Sequence, residues 1–557
     1  MKFRQLAVGA LVILLTFSFG FTTTDLANNY HEISKNLDIF GHLYKEVSSA
    51  YVEETSPEEL IRTGIDAMLK SLDPYTDFIA EEDAEDLSFM STGQYGGIGA
   101  VIGRQRDRFV VFEVYEGYPA DRAGMQPGDE LVAIEADAVS TEKMDVEYVR
   151  NRLRGDKDTE IRLTIRRPGE SQQRELLLTR DRVRVANVPY YGMANAHIGY
   201  IALAGFTQDA AKEVQEAFQN LRRTHGDELR GIVLDLRDNP GGRLDESVRV
   251  ANLFIDQKEV IVETRGRTEG SSRIHRAMYP PVDADIPLAV LINSGSASAS
   301  EIVTGALQDL DRAVIIGQRS FGKGLVQSVR PLPYNTQLKI TIAKYYTPSG
   351  RCIQAINYAD RHADGSVSRI PDSLKTAFQT RGGRIVYDGG GIEPDLIVGQ
   401  ETLPTAIQAL QTQGLIFDYA TAFVQEHPVI AQPRDFRLSD AAYQDFLVFV
   451  KEHGFQYQTA SDEELEQLIE TAKEESYAAL IETELETLRT KLEKQKQRDL
   501  IRHKVAVGAL IEREIARRYY YAPGEIQAGF RSDVSLQQAL SVLEDETRYR
   551  AILSGEE

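Results

Sequence analysis

The chain has 557 residues, 42% hydrophobic and 27% charged with 19 prolines, which is enough for several domains and too apolar for wholesale disorder. Its net charge of −22 argues against a phosphate backbone as the main partner, because nucleic-acid binders carry a basic footprint. The single cysteine, Cys352, excludes an internal disulfide and a cysteine-based zinc site.

Lys2 and Arg4 precede an uncharged run from Leu6 to Phe21, the pattern of an export leader and short for a spanning helix. Residues 1–24 are therefore expected to be a signal peptide or a membrane anchor. The rest of the chain is then expected in the cell envelope or periplasm, either released or tethered to the membrane. Residues 25–85 form a helical preface: apolar positions recur at helical spacing over Asp25–Tyr51 and Pro57–Leu72, with Ser56 as an N-cap. Between about 86 and 182 short strands take over, at Phe109–Phe112, Glu130–Ile134 and Ile161–Ile165. Short helices are predicted at Ala120–Gly124 and Val146–Leu153, which makes this stretch a compact β-rich module.

From 183 to 400 strands and helices alternate, the signature of an α/β core with parallel pairing. Strands are predicted at Ile198–Leu203, Gly231–Leu236, Pro287–Ile292 and Ala313–Ile316, with helices at Gln208–Arg222 and Ser300–Leu310. Leu325–Val329 and Leu338–Ala343 flank the turn Pro333–Thr336 as a hairpin would. Residues 401–557 shift to Glu, Lys, Gln and Leu. A capping box, Ser461 with Glu464, precedes Leu465, Leu468 and Ile469 on one face, and the helical pattern continues to about Tyr520.

The nine histidines form no HExxH pattern, and the chain has neither a GxSxG elbow nor a P-loop. Three other stretches carry chemistry. Asn293–Glu301 (N-S-G-S-A-S-A-S-E) follows an apolar strand and opens a helix. A serine there meets the positive helix end and free N–H groups, suitable ground for an oxyanion. Ser320–Gln327 (S-F-G-K-G-L-V-Q) places Lys323 between two glycines, and burial of such an amine favours its neutral, basic form. Gln327, four residues on, shares its face in a strand. Val233–Gly242 ends in N-P-G-G, where glycines let backbone approach a ligand. Each stretch alone also fits a plain cap, a surface lysine or a turn.

Together the three motifs resemble the carboxyl-terminal processing (tail-specific) serine proteases, over about residues 25–400. The resemblance implies a multidomain α/β fold: a crotonase-like protease core, a PDZ domain, the helical preface and a helical carboxyl-terminal extension. It implies Ser298 as nucleophile, with Ser296 and Ser300 as rivals, Lys323 as general base and Gln327 as the residue that orients it. The 25 residues from Ser298 to Lys323 agree with the family spacing. The backbone N–H groups of Ala299 and Gly241 would serve the oxyanion, and no metal or organic cofactor is implied. Tyr346–Arg351 and Gly391–Asp395 match later family landmarks.

Tyr95, Gly96, Gly97, Ile98 and Gly99 resemble the carboxylate-binding loop of a PDZ domain. The expected partners are thus the carboxyl termini of protein or peptide substrates, and no nucleic acid. Arg154 is a candidate regulatory sensor between the domains. The extension departs from the minimal protease, and oligomerisation or adaptor binding is expected of it. Cys352 reads as structural. An inactive tail-binding scaffold and acyl-CoA chemistry on the same fold are the competing expectations.

Overall fold

The computed structural model describes residues 30–361, 366–399 and 403–556. The expected leader, 1–24, lies outside them. Among the described residues no helix is long and apolar enough to cross a membrane. The chain divides into two compact units, one formed by the chain up to Glu81 with Gln327–Thr341, the other by Glu82–Val326 with Ile342–Glu557.

In the first unit, residues 30–50 and Pro57–Lys70 are helical. Ser56 caps the second helix as expected, accepting the Glu59 N–H at 3.3 Å. Asp73 then accepts the N–H groups of Tyr75 and Thr76, both at 2.8 Å, which closes a turn after the helix. Strand Asp77–Ile79 pairs antiparallel with Gln337–Lys339. Tyr334 and Asn335 both adopt positive φ (57° and 56°), the turn whose twist suits a hairpin.

The second unit begins with the β-rich module. Its strands run in the order Ala100–Gln105, Arg108–Val114, Glu130–Ile134, Glu160–Arg166, Gln173–Thr179. Phe109, Val111, Leu131, Leu163 and Ile165 alternate into its core with Val149 of helix Val146–Leu153.

The α/β core is built on a six-stranded sheet. Tyr190–Met193 runs antiparallel to Ile198–Ala202, and Gly231–Asp235, Leu288–Ile292, Val314–Gly317 and Leu396–Ile397 follow in parallel. The strands are near-continuous apolar runs because both faces are covered. Helices Ala210–His225, Leu244–Asn252 and Ala299–Asp309 pack on one face. The other face is covered from the far end of the sequence, by Leu536, Ala539, Val542, Tyr549 and Ile552 on helices Val534–Glu544 and Glu546–Ser554.

The carboxyl-terminal region is helical, with two local corrections. The capping box is Thr459 with Asp462: the Thr459 N–H reaches Asp462 Oδ2 at 2.8 Å and the Asp462 N–H reaches Thr459 Oγ1 at 3.2 Å. Ser461 lies inside that helix, Ala460–Glu474, and Leu468 on it is half exposed rather than turned inward with Leu465. The helical pattern does break where the periodicity ended, at Tyr520 and Tyr521 (φ −131° and 54°) two residues before Pro523. The chain resumes as helix beyond the break. These helices also hold the β-rich module, through Arg517–Glu113 at 2.6 Å, Tyr521 Oη to Asp121 Oδ1 at 2.8 Å, and Phe417 on Phe112.

Candidate active site

Strand Leu288–Ile292 delivers the chain to the turn Asn293–Ser298, and helix Ala299–Asp309 starts at its end. The turn is tied internally: the Asn293 N–H goes to Ser296 Oγ at 3.0 Å and Ser296 Oγ donates to the Leu236 carbonyl at 2.8 Å. Ser300 Oγ donates to the Asn239 carbonyl at 2.8 Å. Both hydroxyls are fully buried in structural bonds. Ser298, by contrast, is part-exposed, with φ 56° and ψ −109°. A non-glycine residue there costs on the order of 1–3 kcal/mol and persists only where its surroundings enforce it.

Two side chains hold this backbone. Glu301, on the helix's first turn, accepts the Ser298 N–H on Oε2 at 2.8 Å. The Tyr345 hydroxyl reaches the Ser298 carbonyl at 3.0 Å, and that carbonyl also accepts the Ile302 N–H at 3.0 Å. Gly241 leans on the same turn from the N-P-G-G loop. A Cβ there would stand 2.8 Å from the Ala299 nitrogen and 2.9 Å from Ser298 Cβ, and φ is +101°, so only glycine fits. Asn239, itself buried, bonds the Leu203 carbonyl through Nδ2 at 2.7 Å and accepts the Gly241 N–H on Oδ1 at 2.9 Å. Of the two expected oxyanion donors, Gly241 is thus engaged by Asn239. Ala299 opens the helix, among the N–H groups that lack an intrahelical acceptor.

Lys323 lies in the segment between Val314–Gly317 and Leu325–Pro331 and is half-buried. That segment is fixed by the same carboxylate: Glu301 accepts the Lys323 N–H on Oε2 at 2.9 Å, and the Gly322 N–H and Ser320 hydroxyl on Oε1 at 2.7 and 2.6 Å. Gln354 Oε1 takes the next N–H, from Gly324, at 2.7 Å. Burial pushes the Glu301 carboxyl above its ordinary range, against these four donors. Ser298, Ala299, Gly241 and Lys323 are therefore brought together, with Glu301 at the junction. Gln327 falls in the other unit, where its amide donates to Thr341 Oγ1 at 3.4 Å.

In the β-rich module, Gln94–Gly97 pairs antiparallel with Asp181–Arg184. The Ile98 and Gly99 carbonyls accept from Ala120 and Tyr115 at 2.8 and 2.9 Å, so the loop is rigidly seated. Arg154 lies 5.6 Å over the Tyr95 ring and pairs with Asp86 of helix Ala84–Thr92. Cys352 is half-buried, and burial raises its thiol pKa, in keeping with a structural residue.

Three groups at the site had no assigned role in the sequence reading: Glu301, Asn239 and Tyr345. Glu301 had a signal, since Ser298 and Glu301 stand at the spacing of a capping box. Tyr345 had none, being brought in by the fold alone.

Residues 197–360 match Peptidase family S41, 110–167 match PDZ domain, and 406–543 match the helical domain described as "Probable PDZ-protease, C-terminal helical domain". The carboxy-terminal-processing protease of Bartonella bacilliformis is 38% identical over 344 residues, 62% of this chain and 77% of its own length. A probable CtpA-like serine protease of Staphylococcus aureus is 33% identical over 358 residues, 63% of this chain and 70% of its own. Among solved structures, a photosystem II D1 C-terminal processing protease is 28% identical, covering 66% of this chain and 94% of that one at a TM-score of 0.35. Fold and motifs define a serine-type protease with a PDZ domain. The chain belongs to the carboxy-terminal-processing proteases of peptidase family S41.

Proposed function

We propose that this chain is an exported endopeptidase that captures substrate carboxyl termini on the PDZ loop Tyr95–Gly99 and hydrolyses peptide bonds with a Ser298–Lys323 dyad. The observation that carries the reading is the contrast among three serines. Ser296 and Ser300 commit their hydroxyls to buried carbonyls, whereas Ser298 stays part-exposed on a strained turn at a helix N-terminus.

Ser298 Oγ attacks the scissile carbonyl while the Lys323 amine takes its proton. The negative charge that develops on the carbonyl oxygen falls at the start of helix Ala299–Asp309, where the Ala299 N–H and the helix dipole favour it. The Gly241 N–H serves the same oxygen once it turns from Asn239 Oδ1. Protonated Lys323 then hands its proton to the leaving amine, and water, activated by the same lysine, releases the acyl group. No step calls on a metal or an organic cofactor. The charged and apolar amino terminus supports the export part of this reading.

The test is cleavage of an unfolded protein with an apolar tail by the wild type, Ser298→Ala and Lys323→Ala. Either substitution should abolish hydrolysis and leave tail binding unchanged. Normal cutting by both variants would remove the dyad. Binding without hydrolysis by the wild type would support a scaffold in its place.

A further inference from the structure

Ser298 and Lys323 are linked through two side chains, not one. Their N–H groups converge on Glu301 Oε2, and their carbonyls converge on the hydroxyl of Tyr345, which bonds the Ser298 carbonyl at 3.0 Å and also the Lys323 carbonyl. The single phenolic proton is shared between the two acceptors in a three-centre bond, so the hydroxyl bridges them. Tyr345 is 1% exposed, and its strand, Gln337–Tyr346, pairs with Val260–Gly266 at Thr264. Its own N–H donates to the Gly324 carbonyl at 3.0 Å, which seats the ring beside the lysine without help from the hydroxyl.

We infer that Tyr345 is a positioning residue for hydrolysis: its hydroxyl sets the separation and orientation of the nucleophile and base segments. The inference rests on the Ser298–Lys323 reading above. A purely structural role fits the contacts less well. The Ser298 carbonyl already has the Ile302 N–H as a donor, and Gly324 is held by both Gln354 and the Tyr345 backbone. Removing the hydroxyl while keeping the ring leaves those supports in place and releases the bridge. Positioning errors of about 1 Å lower turnover by on the order of a hundredfold.

Tyr345→Phe is the experiment, in the full chain, beside Ser298→Ala and Lys323→Ala. The expected result is a kcat lower by about tenfold or more with KM within about twofold, since substrate contacts are untouched. Labelling of Ser298 by a fluorophosphonate, which needs no turnover, should slow in parallel. Tyr345→fluorotyrosine, which keeps the hydroxyl, should restore wild-type rates. Wild-type kcat and labelling in Tyr345→Phe would overturn the inference. So would a variant that circular dichroism shows unfolded at every temperature, because the hydroxyl would then serve stability. Full activity in Ser298→Ala or Lys323→Ala would instead remove the dyad itself, a separate failure.

Discussion

Ser298 and Lys323, 25 residues apart, donate their backbone N–H groups to one atom, Oε2 of Glu301, at 2.8 and 2.9 Å. A carboxylate oxygen can accept both, and its twin takes the Gly322 N–H and the Ser320 hydroxyl. Three backbone donors and one hydroxyl thus end on the two oxygens of one carboxyl group.

Glu301→Gln should therefore disturb the site while keeping its shape. Either orientation of the amide sets an NH₂ against at least one N–H, so a bond to Ser298, Lys323 or Gly322 is lost. Turnover should fall by about tenfold to a hundredfold. The pH dependence has a definite sign. Burial raises the folded-state pKa of Glu301 above its unfolded value, so between those two values the folded protein binds more protons than the unfolded chain. That contribution to stability is present at acid pH and declines as pH rises through the folded value. Glu301→Gln should flatten that part of a plot of melting temperature against pH. Wild-type turnover together with an unchanged profile would refute the hub role.

Among the described residues Arg351 is the largest fully buried side chain, paired with Asp309 at 2.7 Å and bonded to Gln308 Oε1 at 2.7 Å. It anchors the far end of the helix that Ser298 begins. Arg351→Met leaves the Asp309 carboxylate buried without its cation, at a cost of about 3–5 kcal/mol. The double variant Arg351→Met with Asp309→Leu should be less destabilised than that single variant. Equal or greater loss in the double, measured by urea unfolding, would show that packing and not charge governs this site.

Asp533 joins the carboxyl-terminal helices to the third motif. It binds Arg237 through both oxygens, at 2.9 and 2.6 Å, and caps helix Val534–Glu544 by accepting the Leu536 N–H at 3.0 Å. Asp533→Ala should lower core stability by about 2–4 kcal/mol, combining the cap and the ion pair. Asp533→Asn keeps the cap and should lose roughly half as much. Equal losses in the two variants would leave the ion pair as the whole effect.

These contacts mark the boundary of what was legible in the sequence. The central strands were legible because Leu288–Ile292 and Gly231–Asp235 are unbroken apolar runs, a local consequence of burial on both faces. The serine turn and the glycine-flanked lysine were legible because a strand-to-helix turn and an N-terminal dipole are chemistry written within ten residues. Arg237 and Asp533 stand 296 positions apart, and no local pattern pairs them. Leu536 and Val542 cover a sheet face, yet their spacing is that of any amphipathic helix. The cap at Thr459 rather than Ser461 shows the same limit at short range. Two hydroxyls stand two residues apart, each three before an acid, and only tertiary packing selects between them.

The PDZ loop offers a separation of binding from cutting. Gly96 passes so close to Gly155 that a Cβ on it would stand 2.2 Å from the Gly155 carbonyl oxygen, and the Gly155 N–H returns to the Gly96 carbonyl at 3.2 Å. Backbone cannot yield as a flexible side chain does, so Gly96→Ala must displace the loop or the turn after Leu153. Affinity for a labelled apolar tail peptide should drop by about tenfold or more, read by fluorescence anisotropy, with the protease core still folded. Arg154, over the Tyr95 ring and paired with Asp86, touches the loop's flank rather than its glycines. Arg154→Ala should keep tail affinity within about threefold and lower the cleavage rate, as a residue that relays occupancy would. If Arg154→Ala instead loses affinity in step with Gly96→Ala, the arginine supports the loop and relays nothing.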